Sequence, residues 1–191
     1  MEQVKKKSGV LQSAVIGLKL LLVCAIVAGV ISFVYAMTAD AYEKNLQATK
    51  NQAIGEIFGK EGLSCVAVPY DGDEVIYQVL ENGSLIGYCV EVKSSGFGGD
   101  IEMMVGYSVN GCEPMVLGVS IVAHSETPGL GAKVENGDFL KQFVGQSLDW
   151  DGDANFDAIS GATISSTAVK QGVEKALASL RTVLLKGGAA E

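Results

Sequence analysis

Hydrophobic and polar positions change their period several times along the chain. Leu20 to Ala39 is a run without a single charge, LLLVCAIVAGVISFVYAMTA. As an α-helix at about 1.5 Å per residue it spans about 30 Å, the hydrocarbon thickness of a bilayer. Tyr42, Leu46, Thr49, Ala53 and Ile57 then recur at near-helical spacing, which predicts a helix over Thr38 to Lys60 that stops around Gly59 and Gly62.

From Ser64 the period becomes two. It predicts strands at Ser64–Val68, Glu74–Glu81, Ser84–Lys93, Ile101–Asn110 and Glu113–His124. Asn82-Gly83 and Asn110-Gly111 separate pairs of these and suit two-residue hairpins, because both residues accept positive φ. Gly96, Gly98 and Gly99 read as a flexible link between the middle strands. The pattern is an antiparallel meander of five strands.

Beyond Gly131 the period is helical again. A short helix is expected at Asp138–Val144, then an acidic turn at Asp149–Asp153. A long helix follows from about Ser166 to Lys186, its apolar stripe formed by Val169, Val173, Ala176, Leu177, Leu180 and Leu184. The fold class is α+β: one transmembrane helix followed by a domain with an antiparallel sheet and flanking helices. The expected segments are a basic tip at 1–19, a transmembrane helix at 20–39, a connecting helix at 40–60, a domain at 61–186 and a flexible tail at 187–191.

Charge gives the apolar run a direction. Lys5, Lys6, Lys7 and Lys19 precede it, while Asp40 and Glu43 follow. The bias of basic residues places the N-terminus in the cytoplasm and the domain outside. A cleaved signal peptide is the alternative, since Val34-Tyr35-Ala36 resembles a small-residue cleavage site; the run is longer than the usual signal core of roughly 7–15 residues. Either way the domain is exported. Residues 61–191 hold 18 acidic and 7 basic side chains, and this acidic body argues against nucleic-acid binding.

The cysteines are Cys24, Cys65, Cys89 and Cys112, with no C-x-x-C pair, so neither an iron–sulfur cluster nor a zinc site held by this chain is expected. The three beyond the apolar run read most simply as small buried hydrophobes, with a disulfide between two of them left open.

Two stretches carry candidate chemistry. His124-Ser-Glu126-Thr127-Pro128-Gly129-Leu130-Gly131 follows a strand, and its Thr-Pro-Gly core is turn chemistry. It serves equally as a plain turn or as a loop whose backbone approaches a flat ligand, and a lone His after a strand is more often structural than catalytic. Without a G-x-G-x-x-G element opening a βαβ unit, a dinucleotide fold is not supported. The second stretch, Asp157-Ala-Ile-Ser160-Gly161-Ala162-Thr163, leads through Ile164-Ser165-Ser166 into the last helix. Small residues before a helix N-terminus let an anion reach free N–H groups, and Ser165, Ser166 and Thr167 offer hydroxyls as caps or phosphate donors. A simple N-cap explains the same residues.

With both motifs in order, the chain resembles the G subunit of the Rnf complex, the ion-translocating ferredoxin:NAD oxidoreductase. Its relatives include the C subunits of sodium-pumping NADH:quinone reductases. The resemblance runs from basic tip to last helix. It implies a domain that carries FMN, joined as a phosphoester to Thr163 by a flavin transferase that recognises Asp157, Ser160, Gly161, Ala162 and Thr163. It places Glu126, Thr127, Pro128, Gly129, Leu130 and Gly131 beside the flavin, with Ser160, Gly161, Ala162 and Ser166 completing the cofactor site. It further implies a redox carrier that is not catalytic alone, held in the inner membrane among other subunits of a redox complex. The competing readings are a C subunit of the quinone reductase, disfavoured by the compact chain, and a cofactor-free, membrane-tethered binding module.

Overall fold

The structure is a computed structural model that describes residues 2–109, 114–152 and 156–187, with side chains from residue 15 to residue 185 of those ranges. The predicted Asn110-Gly111 turn, Cys112, Asp153 and the tail beyond Gly187 fall outside the described residues. The chain separates into two compact units, Met1–Gln47 and Ala48–Glu191.

In the first unit the backbone is helical, part of α1 (Glu2–Phe58). One helix, within Val15–Phe58, is long and apolar enough to cross a membrane. Leu20, Leu21, Leu22, Ile26, Ile31 and Phe33 are all exposed. Near its end the Thr38 hydroxyl donates to the Val34 carbonyl at 2.9 Å, so the helix itself satisfies that donor.

The second unit begins with the last turns of α1, which end in a Schellman motif. Gly59 has φ +63°, its N–H donates to Glu56 O, and the Lys60 N–H donates to Gly55 O. Five strands follow in sequence order, every neighbour antiparallel: β1 (Ser64–Val68), β2 (Val75–Glu81), β3 (Ser84–Ser95), β4 (Asp100–Ser108) and β5 (Met115–Ala123). The expected meander is therefore present. Glu81 pairs with Ser84 across Asn82 (φ +50°) and Gly83 (φ +83°), the two positive-φ residues that a type I′ turn requires. A short segment covers part of the outer edge of β5, where Val116 N–H donates to Gln146 O and Gly145 N–H to Val116 O.

Strand alternation gives the sheet two buried faces. One carries Ile76, Val90, Val92, Ile101, Met103, Val105 and Tyr107 against Val169, Val173, Ala176, Leu177 and Leu180 of α3 (Thr163–Gly187). Phe139, Leu140 and Phe143 close one side of this core, from α2 (Gly137–Leu140) and the 3-10 turn after it. The opposite face packs Val79, Cys89 and Met104 on Ala53 and Ile54. The close approach of α1 there needs Gly106, where a Cβ would lie 2.3 Å from Ile57 Cγ2.

Several boundaries differ from the sequence reading. The last helix starts at Thr163 instead of Ser166, because the first turn is bonded before the apolar stripe begins: Ser166 N–H donates to Ala162 O at 2.9 Å. The short helix expected at Asp138–Val144 is one α turn, capped by the Asn136 side chain, and then 3-10 at Lys141–Phe143. A further 3-10 turn at Gly131–Glu135 was not anticipated. Cys89 is buried, and burial pushes its thiol pKa up; Cys65 is exposed, and both are free thiols.

Candidate functional site

Two tight turns face each other at the start of α3. In the first, Leu130 N–H donates to Thr127 O at 3.2 Å, with Pro128 next and Gly129 at φ +76°. In the second, Ala162 N–H donates to Ile159 O at 2.9 Å, with Ser160 next and Gly161 at φ +80°. Both match the type II pattern, in which the third residue must take positive φ. They come close enough that a Cβ on Gly161 would lie 3.6 Å from Leu130 Cδ1.

Glu126 holds this corner together. It is 5% exposed. Its Oε1 accepts the Phe97 N–H at 2.8 Å and the Gly98 N–H at 3.1 Å, and its Oε2 accepts the Ser165 hydroxyl at 2.6 Å. One carboxylate thus ties the turn between β3 and β4 to the loop after β5 and to the first turn of α3. Burial alone would raise its pKa; the bonds from Ser165, Gly98 and Phe97, with the nearby His124, outweigh burial and hold it below the ordinary 4.5. The surroundings leave no spare room: a Cβ on Gly131 would sit 2.4 Å from Glu126 Oε2, and one on Gly96 would sit 2.2 Å from Oε1. The link expected to be flexible at Gly96–Gly99 is instead a pinned turn, closed by a 2.8 Å bond from Gly96 N–H to Gly99 O.

His124 is a support for the same loop. Its Nδ1 accepts the Glu126 N–H at 3.0 Å and its Nε2 lies 2.5 Å from Glu135 Oε1. The tautomer with hydrogen on Nε2 satisfies both contacts.

Between the turns lies a cleft of about 310 Å³, within the range of small-molecule sites. It brings together Glu126, Thr127, Leu130, Gly131, Gly161, Ala162 and Thr163 from the two sequence motifs, and adds Phe97, Ile164 and Ser165. Pro128, Gly129, Ser160, Asp157 and Ser166 do not line it. Ser166 is fully buried behind it, its hydroxyl accepting the Ile159 N–H at 3.0 Å. Asp157 is exposed, and both its backbone groups are held by the Gln142 side chain, at 2.9 Å and 3.3 Å. A larger hollow of about 970 Å³, around Asn51–Cys65, contains no residue of either motif.

The chemistry of the cleft is divided. Phe97, Leu130 and Ile164 are exposed and make it apolar, while Thr163, also exposed, brings a hydroxyl-bearing side chain to the first position of α3. The N–H groups of Thr163, Ile164 and Ser165 precede the first i→i−4 bond of the helix, so no helical carbonyl takes them. An anion is favoured there by those donors and by the helix dipole. No Lys or Arg is among the lining residues. Among the described residues no group of His, Cys, Asp and Glu could hold a metal ion. A phosphate carrying a flat apolar ring fits these residues: donors at the helix start, a hydroxyl beside them and apolar walls beyond.

The model of a family described as an FMN-binding domain matches residues 96–178, the segment that contains the whole cleft. The G subunit of the ion-translocating oxidoreductase complex of Methanosarcina acetivorans is 34% identical over 171 residues, covering 83% of this chain and 89% of that relative. The chain belongs to the Rnf-type family of G subunits. Another G subunit, that of the proton-translocating ferredoxin:NAD(+) oxidoreductase complex of Clostridium ljungdahlii, is 35% identical over 119 residues. That match spans 59% of this chain and 63% of the relative's length. The fold of this G-subunit family member is also that of the C subunit of the Na(+)-translocating NADH-quinone reductase from Parabacteroides distasonis. The crystal structure of that protein superposes with a TM-score of 0.55 at 17% identity, over 73% of this chain and 94% of the other.

Proposed function

We propose that this chain is an electron-carrying subunit of a membrane-bound, ion-translocating ferredoxin:NAD oxidoreductase, and that FMN is joined through its phosphate to the Thr163 hydroxyl. One observation carries the reading: an exposed threonine stands at the first residue of α3, lining an apolar cleft, beside N–H groups without helical acceptors. The flavin supplies the electron chemistry when bound. The chain supplies position. Thr163 tethers and takes no part in turnover, the first turn of α3 compensates the phosphate charge, and Leu130 and Ile164 keep water from the ring. The electrons pass between this flavin and other subunits of the complex.

The membrane anchor fits this role. With Lys5, Lys6, Lys7 and Lys19 on the cytoplasmic side, the domain lies outside, where a covalent bond prevents loss of the cofactor. Maturation then needs a flavin transferase, and the exposed Asp157, Ser160 and Thr163 are accessible to it. The test is intact mass after co-expression with such a transferase. The expected gain is FMN less one water in the wild type and in Thr163→Ser, and none in Thr163→Val. A Thr163→Val chain that still carries covalent flavin refutes the assignment.

A further inference from the structure

The cleft has one wall that neither motif supplies. Phe97 is 70% exposed, although it stands on one of the most constrained turns of the domain. Its own N–H and that of Gly98 are bound to the buried Glu126 carboxylate, and Gly96 N–H closes the turn on Gly99 O. The turn is pressed against the neighbouring loop, since a Cβ on Gly98 would meet Ser125 O at 2.2 Å. The backbone is therefore fixed, and Phe97 lines the cleft together with Leu130 and Ile164. Phe97 is the only aromatic residue among the described residues of the lining, so it is the one side chain there that can give a flat ring an aromatic contact. The occupant is named by the same cleft, because Thr163 opens into it and the FMN-binding model begins at residue 96, on this turn.

We propose that Phe97 is the aromatic seat of the flavin ring, and that Glu126 is its positioning residue, acting through the Phe97 and Gly98 amides. This rests on the FMN reading above. Thr163 fixes one end of the cofactor, and Phe97 fixes where the ring lies at the other. Aromatic rings prefer offset-stacked or edge-to-face contact, so the seat orients the ring as well as covering it. Replacing Phe97 is mild for the fold, because its side chain is mostly in solvent.

The experiment uses the full-length chain, matured with a flavin transferase and purified in detergent, with intact mass recorded for every variant. In Phe97→Trp an indole brought into contact with the flavin drains its excited state, and flavin emission and lifetime fall several-fold. Val144→Trp, an exposed apolar position away from the cleft, leaves them unchanged. In Phe97→Ala the ring becomes more accessible, and the iodide quenching constant rises at least about twofold while covalent loading stays complete. Glu126→Ala reproduces the loss of protection with Phe97 intact. Loaded Phe97→Trp with wild-type emission and lifetime, or loaded Phe97→Ala with wild-type quenching and visible circular dichroism, overturns the seat. Absence of flavin from the wild-type chain overturns the underlying FMN reading instead, so the two failures are distinct.

Discussion

Removing the Glu126 carboxylate should unfasten the cleft more than any other single polar change. It accepts three hydrogen bonds, from Phe97 N–H, Gly98 N–H and the Ser165 hydroxyl. Hydrogen bonds to a charged group contribute about 1.5–3 kcal/mol each, or about 4–9 kcal/mol together. Water can enter from the cleft and rehydrate part of what is exposed, so Glu126→Ala is expected to cost about 3–4 kcal/mol. Glu126→Gln separates geometry from charge. Its carbonyl can accept both amides where Oε1 stood, and its amide can donate to Ser165 Oγ where Oε2 stood. Only charge assistance is lost, at a cost of about 1 kcal/mol. The assay is urea unfolding in detergent, followed by the emission of the single tryptophan, Trp150, whose ring packs 5.8 Å from that of Phe143. The pH dependence has a definite sign. The folded-state pKa of Glu126 lies below its ordinary 4.5, so the unfolded chain binds more protons between the two values and stability rises with pH there. The advantage of the wild type over Glu126→Gln is therefore full above the unfolded value and is lost as pH falls through the folded one. Taking the difference between the two proteins cancels the other carboxylates. If Glu126→Gln is as unstable as Glu126→Ala at neutral pH, or if its gap to the wild type does not shrink in acid, the clamp has been misread.

Two further outcomes follow from groups distant from the cleft. Lys50 and Glu91 form a largely buried ion pair at 2.8 Å, so Lys50→Met should cost about 3–5 kcal/mol in the same assay, and Lys50→Met with Glu91→Leu should recover most of it, because the cost lies in the orphaned charge. The hydroxyl of Tyr107 is buried without a partner among the described residues, so Tyr107→Phe should unfold at the wild-type urea concentration or slightly above; a loss exceeding about 1 kcal/mol would reveal a bond that the structure lacks.

What could be read from the sequence followed the reach of the signal. Strand alternation is local, and it located all five strands, with Asn82-Gly83 fixing one hairpin through two positive φ values. The charge-free run was equally plain, because a bilayer demands length and little else. The start of α3 was misplaced because Thr163–Ser165 precede its apolar stripe; their helical state is set by the Ile159–Ala162 turn and the Ser166 hydroxyl. Glu126 was recognised as a site residue but not as a clamp. A glutamate between Ser and Thr reads as surface, and its burial depends on amides 28 and 29 residues before it and a hydroxyl 39 residues after it. Phe97 was missed altogether, since a lone aromatic residue among glycines has neither period nor motif.

The same contacts favour one hydroxyl of a crowded run as the proposed tether. Ser160, Thr163, Ser165, Ser166 and Thr167 lie within eight residues. Ser165 is committed to Glu126 and Ser166 to the Ile159 amide, and both are buried. Ser160 is exposed but does not line the cleft, and neither does Thr167. Among these residues only Thr163 is both exposed and part of the cleft lining, and it stands at the turn of α3 whose amides have no helical acceptor. The clamp that buries Ser165 therefore acts twice: it holds the Phe97 turn in position and removes a competing hydroxyl beside the proposed attachment point. On this argument Glu126→Ala should loosen the ring and also expose Ser165. Peptide mapping of the flavin in that variant is the measurement in which geometric control of the attachment position shows itself: partial transfer to Ser165 supports it, and unchanged exclusive loading at Thr163 assigns the choice of hydroxyl to the transferase alone.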